Sequence, residues 1–185
     1  MIKKENKGII ETYKRYPLSY ILIYNGLTII HFLLGGMGII YGYNFTGAGK
    51  LIGYFYLAFA FVQMYVVMPL KVCPACIYHR KNKTRCISGL NIISKRVLHC
   101  QETKDFSKRG KGLLCHNHLY IVALVIPVIF MLHALVFNFS FFLLFLLLVL
   151  ISLLLLRILI IFPKMACIHC MARDKCPNAE AMGIL

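Results

Sequence analysis

The chain has no tryptophan and only six acidic residues among 185. Charged side chains make up 15% of it, where a soluble domain carries about 25%. None of the acids (Glu5, Glu11, Glu102, Asp105, Asp174, Glu180) falls inside a long apolar run, which argues against carboxylate catalysis within a membrane. A Gly-rich phosphate loop and a Gly-x-Ser-x-Gly elbow are missing too, so neither nucleotide binding of that type nor serine-based hydrolysis is indicated. What is present is apolar. Hydrophobic residues reach 60%, against about 45–50% in soluble domains, and include 13 Phe and 11 Tyr. That balance excludes a disordered tail, a collagen-like chain and an ordinary soluble enzyme.

Four runs are long enough for a bilayer core of about 30 Å, which takes roughly 20 apolar residues. They cover about Pro17–Tyr41, Leu51–Leu70, Leu119–Phe137 and Phe141–Phe162, leaving Asn138-Phe139-Ser140 as a tight turn. The N-terminal Ile9-Ile10 is too interrupted by charge to serve as a signal-peptide core. Of the 21 Lys and Arg, 20 fall on one side of this layout, and only Lys50 falls on the other. The asymmetry assigns that side, with both termini, to the cytoplasm. Arg157, about a turn inside the fourth span, is expected to snorkel to the same interface. The net charge of +15 then reads as a topology signal and an attraction to anionic lipid, with no nucleic acid required. A soluble redox or catalytic protein docked on this basic face is the expected partner.

The chain also repeats itself. Pro69-Leu70-Lys71-Val72-Cys73-Pro74-Ala75-Cys76 follows the second span, and Pro163-Lys164-Met165-Ala166-Cys167-Ile168-His169-Cys170 follows the fourth. In both, a Pro is expected to end the helix four residues before a Cys-x-x-Cys. His31 and His133 each lie about 14 residues past the basic start of their span, a depth of roughly 21 Å. The expected fold is an all-α membrane protein, a four-transmembrane-helix bundle of two parallel helix-hairpin repeats. Its parts are a basic N-terminus (1–16), hairpin one (17–70), a Cys-rich metal-binding loop (71–118), hairpin two (119–162) and a Cys-rich C-terminal tail (163–185).

All eight cysteines lie on the basic side: Cys73, Cys76, Cys86, Cys100, Cys115, Cys167, Cys170 and Cys176. In a reducing cytosol such spacing points to metal rather than to disulfides. Each repeat supplies three thiols (Cys73, Cys76 and Cys86; Cys167, Cys170 and Cys176), and Cys100 and Cys115 complete two four-cysteine sites. His79, His99, His116 and His169 are nearby substitutes. Both tetrahedral zinc and a 4Fe-4S iron–sulfur cluster suit four thiolates, and Cys176-Pro177 matches a common cluster ending. The loop has too little apolar content for a core of its own, so metal is its expected source of order.

His31 and His133 are the deepest ionisable groups in the spans, and matched depth would let them face each other as ligands of a haem b iron or as a quinone site. Gly35 and Gly38 would leave that helix face flat enough for a macrocycle, or else serve close helix packing. Two functions follow. The first is an electron-transfer subunit, with two cytoplasmic iron–sulfur clusters relaying electrons between a soluble partner and a haem or quinone. The second is a non-catalytic membrane anchor or assembly protein, its cytoplasmic segments stapled by two structural zinc ions. The order of four spans with a Cys-rich loop between the second and third resembles that of protein S-acyltransferases. Their Asp-His-His-Cys motif is absent, since Cys115-His116-Asn117-His118 does not match it.

Overall fold

The computed structural model describes residues 11–44, 47–97 and 116–175. Four of its helices are long and apolar enough to cross a membrane, which makes this a multi-pass α-helical protein. α1 (Leu18–Gly42) starts behind Pro17, whose fixed φ of −54° leads into the first turn. α2 (Gly49–Val62) follows a turn in which Gly47 has a φ of +70°. Two short helices, α3 (Ile77–Arg80) and α4 (Leu90–Val97), lie in the segment after it. α5 (His116–Phe137) and α6 (Phe141–Leu156) form the second hairpin, joined by the three-residue turn at Asn138. Leu22, Phe55 and Phe141 are among many large apolar side chains left outside, a surface that suits lipid and would aggregate in water.

α2 and α6 do not stop where the prolines stand. Each continues as a wider π-wound helix, over Gln63–Val72 and over Arg157–Cys167, with Pro69 and Pro163 inside. The expectation that proline ends these helices is therefore corrected. Proline lacks an N–H and crowds the carbonyl four residues back, and a π turn relieves both by shifting the bonding one residue further.

The hairpins pack differently. In the first, Gly36 lies against the Leu57 side chain, where an added Cβ would come within 2.6 Å, and Gly53 meets Ile40 in the same way. The second hairpin has no glycine and interlocks Met131 and Ala134 with Leu143, Leu146, Leu147 and Leu150. The hairpins join where Gly35 receives Pro127 of α5 and Gly38 receives Met131.

At the basic end, part of the 71–118 segment does build a packed unit, contrary to expectation. Tyr78, Leu90, Asn91 and Ser94 are buried. The Asn91 amide donates to the carbonyls of Tyr78 (3.1 Å) and Thr84 (3.0 Å) and accepts from the Cys86 N–H (3.1 Å). Arg15 bridges to Arg85, through Arg85 N–H to Lys14 carbonyl (3.1 Å) and Tyr16 N–H to Arg85 carbonyl (3.0 Å). The three hydrogen bonds of the buried Asn91 thus help to order the segment where aliphatic residues are scarce.

Candidate functional site

Both Cys-x-x-Cys motifs close the same turn. The Cys76 N–H donates to the Cys73 carbonyl (2.9 Å), and the Cys170 N–H donates to the Cys167 carbonyl (3.1 Å). The Ala172 N–H also donates to Cys170 Sγ (3.4 Å), a bond that favours the thiolate form. Cys73, Cys76, Cys86, Cys167 and Cys170 are all outside disulfides. Cys86 is bonded to Ser88 Oγ (3.4 Å) and held by Asn91, and it does not join Cys73 and Cys76 in a three-donor group. Among the described residues no three His, Cys, Asp or Glu side chains are gathered to hold a metal. Cys100, Cys115, Cys176 and His99 lie outside the described residues.

Two tyrosines knit these turns together. The Tyr78 hydroxyl donates to the Tyr13 carbonyl (2.8 Å) and accepts from the Met171 N–H (3.2 Å), one residue past Cys170. The Tyr16 hydroxyl donates to the Ala166 carbonyl, one residue before Cys167. Burial pushes both phenols well above the usual tyrosine range. The neighbouring thiols, Cys167 and Cys170 at Tyr16 and Cys76 and Cys170 at Tyr78, push the same way. Both tyrosines therefore remain hydrogen-bond donors near neutral pH.

His169 stacks on Tyr13 with ring centroids 4.4 Å apart, and its Nδ1–H donates to the Glu11 carbonyl (2.8 Å). His79 is 2% exposed, and neither ring nitrogen has a close hydrogen-bond partner among the described residues. Burial lowers its pKa below the ordinary 6.5, so it stays neutral.

The structure does not bring His31 and His133 together. His31 is buried, and its Nε2–H donates to the Leu124 carbonyl (2.9 Å). His133 is exposed; its Nδ1 is hydrogen-bonded with the Tyr43 hydroxyl (2.7 Å), and the two rings stack. Leu124 and His133 are nine residues apart on α5, so the histidines differ in level by about 14 Å. Counting along the chain misses this because α1 and α5 are displaced along the bundle axis. Of the two expectations for Gly35 and Gly38, close helix packing is the one found: Pro127 and Met131 fill the space that a macrocycle would need.

One charged group enclosed in the bundle lies where the sequence did not place it. Arg157, expected to snorkel outward, is 2% exposed. Its Nη2 donates to the Tyr24 carbonyl (3.0 Å) and to Thr28 Oγ1. Three rings surround the guanidinium, with centroids at 5.0 Å (Tyr24), 5.6 Å (Tyr120) and 5.9 Å (Phe162). Such a cage offsets desolvation of the cation where no carboxylate among the described residues pairs with it. Its Nε and the Tyr65 hydroxyl have no hydrogen-bond partner among the described residues.

A sequence signal for this position was present in the repeat. Gln63 and Arg157 both stand ten residues before the first Cys of their motif, both are buried, and both begin a π-wound segment. Against known proteins, the chain matches no family model, and no curated protein or solved structure is significantly similar to it.

Proposed function

We propose that this chain is a non-catalytic membrane anchor or assembly protein built from two parallel hairpin repeats. In this reading both termini and the thiol end face the cytoplasm. Each Cys-x-x-Cys turn supplies two thiolates to a structural zinc ion, and Cys100, Cys115 and Cys176 supply further donors. What carries the reading is the pair of matching turns at one end of the bundle, with the Ala172 N–H on Cys170 Sγ as a thiolate-favouring contact. Their lacing through Tyr16 and Tyr78 leaves little slack for a moving catalytic part. Metal closing both turns would tie the N-terminal segment, the loop and the tail into one platform for a partner on the basic face.

The electron-relay reading stands second, and one observation favours it. Arg157 Nε and the Tyr65 hydroxyl have no hydrogen-bond partner among the described residues, and as donors inside the bundle they suit a quinone carbonyl. In that case the thiolates hold iron–sulfur clusters. Haem between His31 and His133 is not part of either reading, given their separation.

Metal analysis of anaerobically purified full-length protein separates the two. Zinc without iron supports the anchor; iron with acid-labile sulfide and visible absorbance replaces it with the relay. Cys170→Ser is expected to lose one metal equivalent, and Cys86→Ser none. Retention of all metal in Cys170→Ser, or loss in Cys86→Ser, would overturn the ligand assignment.

A further inference from the structure

α4 has two unlike sides. Leu90, Asn91 and Ser94 turn into the protein and are buried. On the other side Ile92, Ile93 and Val97 are 39%, 46% and 61% exposed, and helical spacing sets Arg96 among them. A segment that orders itself with so few aliphatic residues nevertheless leaves three of them outside.

The position of α4 supplies the reason. The Ser88 carbonyl, just ahead of the helix, accepts from the Asn25 amide (3.1 Å), and Gly89 lies over Ile21. Ile21 and Asn25 belong to the first two turns of α1, so α4 begins roughly 5–10 Å inside the start of the span. Leu18 and Leu22 of α1 are exposed at this same level, as lipid-facing residues are. Between 71 and 97 the chain carries seven basic residues and no acidic one, which complements an anionic surface.

We infer that α4 is an interfacial helix, lying in the leaflet at the basic end with Ile92, Ile93 and Val97 among the acyl chains and Arg96 reaching anionic phospholipid headgroups. The segment between the hairpins is then a membrane-surface element rather than a solvated loop, and it holds the Cys73–Cys76 turn against the bilayer. This goes beyond the anchor reading but rests on the four helices spanning a membrane.

The absence of tryptophan makes the test clean. Ile93→Trp and, separately, Leu22→Trp in the full chain would each be reconstituted into bilayers with and without anionic phospholipid, and quenched by lipids brominated near the headgroup end of the chains. Both tryptophans are expected to emit at short wavelength and to be quenched, Ile93→Trp more strongly when anionic lipid is present. Arg96→Gln in the Ile93→Trp background should abolish that lipid dependence. A quenched Leu22→Trp beside a water-like, unquenched Ile93→Trp would overturn the interfacial helix while leaving the spans intact. An unquenched Leu22→Trp would instead overturn the membrane reading beneath it. Shielding of Ile93→Trp only after a soluble protein is added would reassign the face to protein docking and overturn the lipid assignment.

Discussion

The two hairpins reach the basic end by the same backbone route and carry different chemistry along it. Both wind from α into π ten residues before a Cys-x-x-Cys, both hold a proline six residues into that segment, and both finish in the same bonded turn. At the first π position, however, one hairpin buries the neutral Gln63 and the other the cation Arg157. Three residues past the second Cys, one has the buried His79, whose ring nitrogens lack a close hydrogen-bond partner among the described residues, and the other has Arg173, which pairs with the exposed Asp174 (3.2 Å). The first hairpin closes on glycines and the second on leucines. Backbone geometry here follows a short local pattern, and side chains at matched places are free to take different roles.

The sharpest way to break this comparison is at the matched pair. Arg157→Ala removes a caged cation and its packing against three rings, and is expected to cost about 3–5 kcal/mol in thermal or denaturant unfolding in lipid-detergent mixtures. Gln63→Ala should cost about 1–2 kcal/mol. Equal losses at both sites would show that the cage adds nothing beyond burial.

A smaller effect is expected from glycine packing. Gly53→Val forces a branched side chain against Ile40 and the Gly36 carbonyl, for about 1–3 kcal/mol of destabilisation. Gly26→Ala, on the same hairpin but facing open space, should stabilise by about 0.5–1 kcal/mol. If Gly53→Val were tolerated as well as Gly26→Ala, the close approach of α1 and α2 would be refuted.

The smallest effect concerns His79. Its folded pKa lies below the unfolded 6.5, so well above that value neither state is protonated and His79 contributes no slope. As pH falls below about 6.5 the unfolded chain takes up a proton that the folded one resists, and stability declines toward the folded pKa. His79→Leu should flatten that part of the profile and be neutral or stabilising near pH 7, because it removes two buried nitrogens that lack a close hydrogen-bond partner among the described residues. An unchanged acid slope in His79→Leu would assign the dependence to other groups.

The spans were legible because hydropathy sums along the chain, and all four were located to within a few residues. The shared register of the Cys turns was legible for a similar reason, as a fixed count from proline to cysteine. Three placements were not. The level of His133 relative to His31 depends on how α5 slides along α1, which is set where Pro127 seats on Gly35. The burial of Arg157 depends on Tyr24, Tyr120 and Phe162 converging from three different helical segments. The separation of Cys86 depends on Asn91 capturing its backbone within a tight local turn.

From the sequence alone came four apolar runs and an expected division of basic residues and thiols between the segments that flank them, since charge, apolar length and residue spacing are properties of a one-dimensional string. Which groups meet was decided only in three dimensions. A helix of fixed rise can still be shifted along and rotated about its axis, and those two freedoms are settled by side-chain packing between helices. That packing parted the two histidines, enclosed Arg157 and laid the exposed face of α4 at the level where the first span begins.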